Sequence, residues 1–415
     1  MVLGVMKMDL STLAEQLYFT KEAADYLNIS VQRLNRLVHD NKIIPIKKNP
    51  SGTVFHIDEL KKRKNELEMF DKNIDKGGKI GMFNIDDAIK NEAVNFAAFM
   101  ALLDCTEKKA EPLFNEVGER INLALPMIHE DVLQTYAIVV NRNERDIRTL
   151  YEKTYFAFTQ LQEHDEIIKK GSFDYPVLLA QTDQAPRFLY VRGRKSLLTE
   201  ARTVALVGAR KSSENAKNKT RKLAKQLGDN GITVVSGLAR GIDVSAHLAA
   251  LESGYNTIAV IGTNLNEYYP PENKKVQLDI EKRGLVVSQF SPASKTQRWF
   301  FPTRNGVMSG LSLATIIMEA SETSGALKQA DYALKQGRQL LIPQSAIDNP
   351  LISWPRKYVG LGAVVVQTSA DIIRELSQNR IFKTSSLTNK NSQQSTIEDM
   401  ITNNEKWNTS VISVS

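Results

Sequence analysis

The sequence predicts an α/β protein whose main body is a doubly wound parallel sheet. Three observations carry that expectation. Seven strand-length apolar runs follow one another at regular intervals: Val204–Val207, Ile232–Val235, Thr257–Ile261, Leu285–Val287, Leu313–Met318, Gln339–Ile342 and Ala363–Val366. The segments between them, such as Ala216–Gly228, Ile242–Ser253 and Gly325–Gln336, have helical apolar spacing. Near-continuous Val/Ile strands alternating with amphipathic helices imply a sheet covered on both faces. Finally, the first two runs end in glycine turns that each carry an arginine, Arg210 and Arg240. In an open parallel sheet, loops at the carboxyl ends of the strands form the ligand crevice.

In chain order, the organisation expected is a small basic domain over residues 1–70 and a helical connector over 71–165. The sheet domain follows over 166–380, then a polar, disordered tail over 381–415. Within the first segment, Thr20 is placed to cap a helix, KEAADYLN, with Ala23, Ala24 and Leu27 on one face. Asn28-Ile29-Ser30 forms a turn, and Ser30 caps a second helix whose inward face is Val31, Leu34, Leu37 and Val38. Gln32, Arg33, Asn35, Arg36 and His39 then point outward, a donor-rich set suited to phosphates and base edges. Ile43–Lys47 and Val54–His56 flank Asn49-Pro50-Ser51-Gly52 as a two-stranded wing that also carries Lys47 and Lys48, and Asp58 caps a further basic helix. The arrangement resembles the winged helix-turn-helix of excisionase and MerR-type regulators. Its expected partner is duplex DNA, contacted by Gln32, Arg33, Arg36, Lys47 and Lys48.

The connector shows helical patterns at Asp86–Leu103 and Glu111–Leu123, with a long run from Asp131 to about Asp165. His129 and His164 stand alone there and read as surface or capping residues. The tail is rich in Ser, Thr, Asn and Gln.

Composition narrows the function classes. The 415-residue chain is 24% charged and 42% apolar, ordinary for a soluble globular protein. Its formal net charge is +7, and residues 31–64 alone hold nine Lys/Arg against three acids. A single cysteine, Cys105, rules out an intramolecular disulfide and fits a reducing cytoplasm. No apolar run approaches the ~18 residues of a membrane span, and the N-terminus lacks a signal-peptide core, so a cytoplasmic location without membrane contact is expected. No metal-ligand cluster appears.

The two arginine turns suggest a site for phosphate, either of a nucleotide or of a nucleic-acid backbone. The dinucleotide reading fails at the first turn, Gly208-Ala209-Arg210-Lys211-Ser212-Ser213, which is not GxGxxG. The second strand ends in Ser236-Gly237 with no acid for a ribose hydroxyl. No P-loop is present either. What remains is an anion site built from arginines, small residues and helix N-termini.

At these residues the chain resembles the DNA-processing protein A (DprA/Smf) family. Tyr175-Pro176, Asp183, Pro186 and Leu189-Tyr190-x-x-Gly193 match its entry segment, followed by GARxxS at 208–213 and SGLARGIDxxAH at 236–247. TIAVIGTNLNEYYPPEN at 257–273, FPTRN at 301–305, GLSxxxIIMEASETSGAL at 310–327 and GRQLLIP at 337–343 complete the match, which covers about half of the chain. The resemblance implies a Rossmann-like domain that binds single-stranded DNA, usually as a homodimer, and loads the recombinase RecA. It implies no enzymatic reaction and no cofactor. Carried over by position, Arg210 grips the phosphate backbone, and Ser212, Ser236, Gly237, Arg240 and Gly241 line the same pocket. Lys295, Arg298 and Phe301 belong to a mixed cationic and aromatic stretch suited to base stacking, with Arg304 and Asn305 at its end. Arg240 is equally readable as a structural residue paired with Asp243, and His247 as a structural hydrogen bonder. At least one of Trp299, Phe300 and Phe301 is expected in the core. Three departures stand out: Gly306 replaces a family arginine, Gln289 stands where the family commonly has a glutamate, and the family's frequent C-terminal winged helix has no clear counterpart.

Two alternatives of different class are readable in the same residues. One is a DNA-binding regulator whose sheet domain senses a nucleotide. The other is a LOG-type nucleoside monophosphate phosphoribohydrolase. Against the latter, the PGGxGTxxE signature is replaced by Ser321-Glu322-Thr323-Ser324-Gly325-Ala326-Leu327-Lys328-Gln329, which leaves Glu319 and Glu322 misplaced for glycosidic cleavage.

Overall fold

The computed structural model describes residues 17–27, 31, 34–35, 38, 43, 45–49, 52–57, 59–61, 85–199 and 202–378, with backbone alone at 48, 49, 52 and 85–87. The chain divides into two units, residues 1–88 and 89–415.

In the first unit, strand β1 (Leu17–Phe19) leads into helix α1 (Thr20–Tyr26), and β2 (Lys47–Asn49) pairs with β3 (Gly52–His56) as an antiparallel hairpin. The sheet order is β1-β3-β2. Asn49 stands opposite Gly52, and Pro50 and Ser51 between them lie outside the described residues; β2 starts later than the apolar pattern suggested. Ala23, Ala24, Leu27, Leu34, Val38, Ile43, Phe55 and Leu60 form the core. Two details differ from expectation. Thr20 is the first helical residue and its hydroxyl donates to the Thr53 carbonyl at 3.3 Å, while the backbone N–H of Phe19 is taken by Glu22. Val31, expected inside, is exposed. Gln32, Arg33, Arg36, the Lys48 side chain and the Asp58 cap lie outside the described residues; Lys47 is exposed on β2.

The second unit opens within α2 (Ile85–Leu103), from Ile89 on, and continues with α3 (Glu107–Gly118), α4 (Glu130–Val140) and α5 (Glu144–Phe158). The single long run expected from Asp131 is two helices. Asn141 adopts a left-handed conformation (φ 51°) that ends α4, and the Asn143 side chain caps α5 by accepting the Asp146 N–H. His129 caps α4, as its position suggested.

The sheet follows: β4 (Asp165–Lys169), α6 (Val177–Ala180), β5 (Phe188–Gly193), β6 (Arg202–Gly208), α7 (Glu214–Asp229), β7 (Ile232–Ser236), α8 (Ile242–Glu252), β8 (Thr257–Val260), α9 (Lys274–Arg283), β9 (Leu285–Ser288), α10 (Phe300–Gly310), β10 (Ala314–Glu319), α11 (Ala326–Lys335), β11 (Gln339–Pro343), α12 (Gln344–Ile347), α13 (Trp354–Gly360), β12 (Val364–Val366) and α14 (Ser369–Gln378). Strand order is β12-β11-β10-β6-β7-β8-β9-β5-β4, parallel except where β5 pairs antiparallel with both β9 and β4. All seven predicted strands are present and parallel. β4 and β5 were not anticipated. Alternation along β6 explains the double winding: Ala205 and Val207 point to one core with α10 and α11, Val204 and Leu206 to the other with α7 and α8. The chain winds outward from β6 to β9, then crosses back to place β10 on the other side of β6. That reversal between β6 and β10 is the topological switch point, where a doubly wound sheet opens its crevice.

Helices α2 to α5 share a core with Phe188, Tyr190, Ala259 and Val286 of the sheet. A charged network ties the two together. Arg187, just before β5, donates to Glu92 of α2 (2.7 Å) and to Asn115 of α3 (2.6 Å), and Lys169 of β4 reaches the same Glu92 at 2.5 Å. The Arg187 guanidinium also lies 4.9 Å from the Phe114 ring centre. Beside it, the Glu107 carboxylate accepts the Arg187 backbone N–H, yet burial pushes its pKa up from 4.5 to about 7. A folded-state pKa above the unfolded one gives stability at low pH that is lost as the pH rises through the folded value. Glu107→Gln is therefore expected to melt higher than wild type above about pH 7, with the gap closing as the pH falls towards 4.5. Parallel melting curves across that range would sink the assignment. No helix among the described residues is long and apolar enough to cross a membrane.

Candidate functional site

The switch point carries a cleft of about 910 Å³. Its floor is the turn after β6, where Gly208 hands over to Ala209 and Arg210. Ser213 then caps α7 by accepting the Ala216 N–H at 3.1 Å. Arg210 is exposed on this turn, and its guanidinium carbon lies 5.8 Å from the centre of the Phe301 ring. Phe301, on the first turn of α10, packs against Tyr269 with ring centres 5.0 Å apart. It sits so close to Gly262 that a Cβ there would come within 2.6 Å of the ring. The result is an arginine beside an aromatic platform, both open to the cleft.

Beneath that surface lie two buried groups of opposite charge, Arg304 and Asp243, which act on each other through space. The Arg304 guanidinium donates to the Val260 carbonyl at 2.8 Å, lies under Gly237, and is only 5% exposed. Burial pulls its pKa down to about 10, with Asp243 opposing that and Arg210 adding to it. Asp243, also buried, has its pKa raised by desolvation, against the charge of Arg304 and the backbone N–H groups of Ala239 and Gly237. Gly237 has no alternative: a Cβ there would stand 1.7 Å from Arg304 Nη1. Gly241, at φ 78°, begins α8 with its α-carbon pressed against the carbonyls of Ala209 and Arg210, so the second glycine turn braces the first.

The opposite wall comes from the turn after β10 (Ser321, Ser324, Gly325), from Lys328 on α11, and from Asn349, Leu351 and Ile352. A register shift between Ile317 and Glu319 sets Glu319 against Gly208 at the end of β6. Its carboxylate accepts the Ser213 N–H (2.9 Å) and hydroxyl (2.6 Å). That occupies the N-terminus of α7, where a dinucleotide fold seats its pyrophosphate. Glu322 is held by the backbone N–H groups of Ser353 and Trp354. Both carboxylates thus accept hydrogen bonds from protein donors. The cations on the cleft are Arg210, Lys211, Arg298 and Lys328, the last paired with Asp331 at 3.6 Å, and they stand beside the carboxylate of Glu319.

Of the residues expected from sequence, Arg210, Arg298, Phe301, Arg304 and Asn305 converge on the cleft. The others do not line it. Ser236 is fully buried and donates its hydroxyl to the Leu206 carbonyl at 2.6 Å; with Gly237 it backs the wall instead of forming it. Arg240 is exposed and engaged by Glu272, not by Asp243. Ser212 keeps a buried hydroxyl without a partner, and Lys295 is exposed away from the lining. Phe300 is the core member of the aromatic trio, stacked on Phe290 at 3.8 Å, whereas Trp299 is half exposed. His247 is buried and held neutral, its pKa driven down to about 3 by desolvation, with Nδ1 2.7 Å from the Thr257 hydroxyl. Position 306 packs against Gln184 and Tyr332, so the glycine found there empties nothing in the cleft. Sequence reasoning missed Lys211, Tyr269, Lys328 and Leu351. Tyr269 lay within a recognisable motif, but nothing in the sequence marks Leu351.

The family model described as DNA recombination-mediator protein A matches residues 166–377, just over half of the chain. The DNA processing protein DprA of Streptococcus pneumoniae is 35% identical over 232 residues, spanning 54% of this chain and 81% of that protein. DprA of Bacillus subtilis is 33% identical over 211 residues, spanning 51% of this chain and 71% of that one. The X-ray structure of DNA processing protein A from Streptococcus pneumoniae superposes with a TM-score of 0.54 at 28% identity. It covers 69% of this chain and 95% of that one.

Proposed function

Because the chain belongs to the DNA recombination-mediator protein A family, we propose that the cleft at the switch point holds single-stranded DNA, with phosphates against Arg210, Lys211 and Arg298 and bases against Phe301 and Tyr269. The observation that supports this best is the pairing of Arg210 with an aromatic platform in an open groove. Single strands are bound by cationic tracks interleaved with stacking surfaces. A nucleotide-sensing or phosphoribohydrolase site calls for a helix N-terminus open to phosphate or a carboxylate open to the ribose, and the hydrogen bonds between Glu319 and Ser213 at the start of α7 weigh against both. The reading extends to a role without chemistry: the protein shields single strands and delivers them to a RecA-type recombinase in DNA uptake or recombination, acting in the cytoplasm as a homodimer. The hairpin wing and exposed Lys47 of the first unit support a separate contact with duplex DNA.

Titration of the full chain with labelled oligo-dT, random duplex and AMP tests this. Salt-sensitive oligo-dT binding, uncompeted by AMP and without AMP turnover, is the expected result. AMP hydrolysis in the absence of oligo-dT binding establishes the enzyme reading instead, and duplex binding alone establishes the regulator.

A further inference from the structure

Helix α7 starts at the rim of the cleft, and its outer face carries a stripe of cations that the cleft does not use. Its inner face, Ala216, Thr220, Leu223, Ala224 and Leu227, is buried. At 3.6 residues per turn, Asn215, Asn218, Lys219, Lys222 and Lys225 fall within about 120° of arc on the opposite side, and all five are exposed. Lys211, which lines the cleft, continues this strip at its N-terminal end.

The stripe differs from an ordinary solvated face in its charge pattern. Two of the acids near it are ion-paired, Glu214 at its edge with Lys217 and Glu252 with Arg221, and the third, Asp229, accepts the Tyr255 hydroxyl beyond its far end. Lys219, Lys222 and Lys225 have no salt bridge among the described residues. A face built for solubility mixes both signs; from Asn215 to Lys225 this one presents cations and amide side chains alone, and Asp229, one turn beyond Lys225, is the first acid on it.

Resting on the single-strand reading of the cleft, we propose that this face of α7 is an exit track, along which the phosphate backbone of the same DNA strand runs after leaving the cleft. From the Ser213 cap to Lys225 the track is about 18 Å long at 1.5 Å per residue. At the ~3.4 Å per-strand phosphate spacing of duplex DNA this covers at most about five phosphates, and fewer if the strand is stretched. The contact is to phosphate, so it carries no sequence preference.

The test compares oligo-dT of about 6 and about 30 nucleotides, a range bracketing the span of one single-strand site, on wild type, on the triple variant Lys219→Gln/Lys222→Gln/Lys225→Gln, and on Arg210→Ala. The triple variant should bind the short oligonucleotide as wild type does. It should bind the long one about tenfold more weakly, with the slope of log K against log salt shallower by about 2, three contacts at ~0.7 each. All three positions are exposed, so an unchanged melting temperature checks that the fold is intact. Wild-type affinity and slope for the long oligonucleotide in the triple variant overturn the track and leave the cleft reading standing. Failure of Arg210→Ala to weaken the short oligonucleotide overturns the cleft reading instead.

Discussion

Arg210→Ala is expected to lower oligo-dT affinity on the order of ten- to a hundredfold while leaving thermal stability nearly untouched. The binding loss follows from the chemistry of the contact. A hydrogen bond between a guanidinium and a phosphate is worth about 1.5–3 kcal/mol, because leaving the charged partner unmatched costs more than an ordinary polar loss. Removing one phosphate contact to a single strand also flattens the salt dependence by about 0.7 in slope. The stability side follows from exposure. Arg210 stands on the turn after β6 and touches the Phe301 ring at 5.8 Å, with no buried partner to strand. Exposed substitutions of that kind stay within about 0.5 kcal/mol. Arg210→Lys separates charge from shape: it keeps the cation but loses the planar fork that grips phosphate with two bonds and stacks on an aromatic ring. An intermediate affinity with the wild-type salt slope is expected. Fluorescence anisotropy across a salt series, with calorimetric melting of the same samples, measures all of this. Wild-type affinity and slope for Arg210→Ala would place the strand elsewhere on the molecule.

The sheet was legible because parallel strands buried on both faces leave a period and a composition that survive without tertiary information. β4 was not legible for the complementary reason, whereas β5, buried along nearly its whole length, stood in the sequence only as a family motif. β4 is a partly exposed edge strand whose sequence, Asp-Glu-Ile-Ile-Lys, places Asp165 and Glu166 where they pair with Arg192 and Lys195 across space. Arg210 was readable because a long cation on a glycine turn has no packing role to explain it. Its neighbours were harder. Ser236 and Arg304 sit in motifs as suggestive as that of Arg210, and only burial separates a side chain that lines the cleft from one that supports it. Arg240 shows the same limit in another form: its partner, Glu272, is far away in sequence. Leu351 reaches the cleft from a segment after β11 that no local pattern ties to the turn after β6.

The second large effect lies under the cleft, at Arg304 and Asp243. Arg304→Met removes the cation that opposes a buried carboxylate, and an uncompensated buried charge costs about 3 kcal/mol or more. Asp243 has a pKa already raised by burial, and losing Arg304 raises it further. A group whose folded-state pKa is raised supports the fold only while protonated. The instability of Arg304→Met should therefore grow as the pH rises through the titration of Asp243 and shrink in acid. Asp243→Asn combined with Arg304→Met removes both charges, and the pair should regain most of the stability lost by the single variant, because neighbouring charges do not contribute additively. DNA binding should not return with it. Arg304 lies under Gly237 beside the proposed phosphate site, so the double variant, although its net charge equals that of wild type, folds around a cleft that has lost the local cation there. Urea denaturation of the two single variants and the double at several pH values, with oligo-dT binding measured on each, separates the two roles. If the double variant is as unstable as the sum of the singles, the charges are not coupled and the buried pair is not what holds the second glycine turn in place. If it regains both stability and wild-type affinity, Arg304 is scaffold alone and the strand is held by the exposed cations above it.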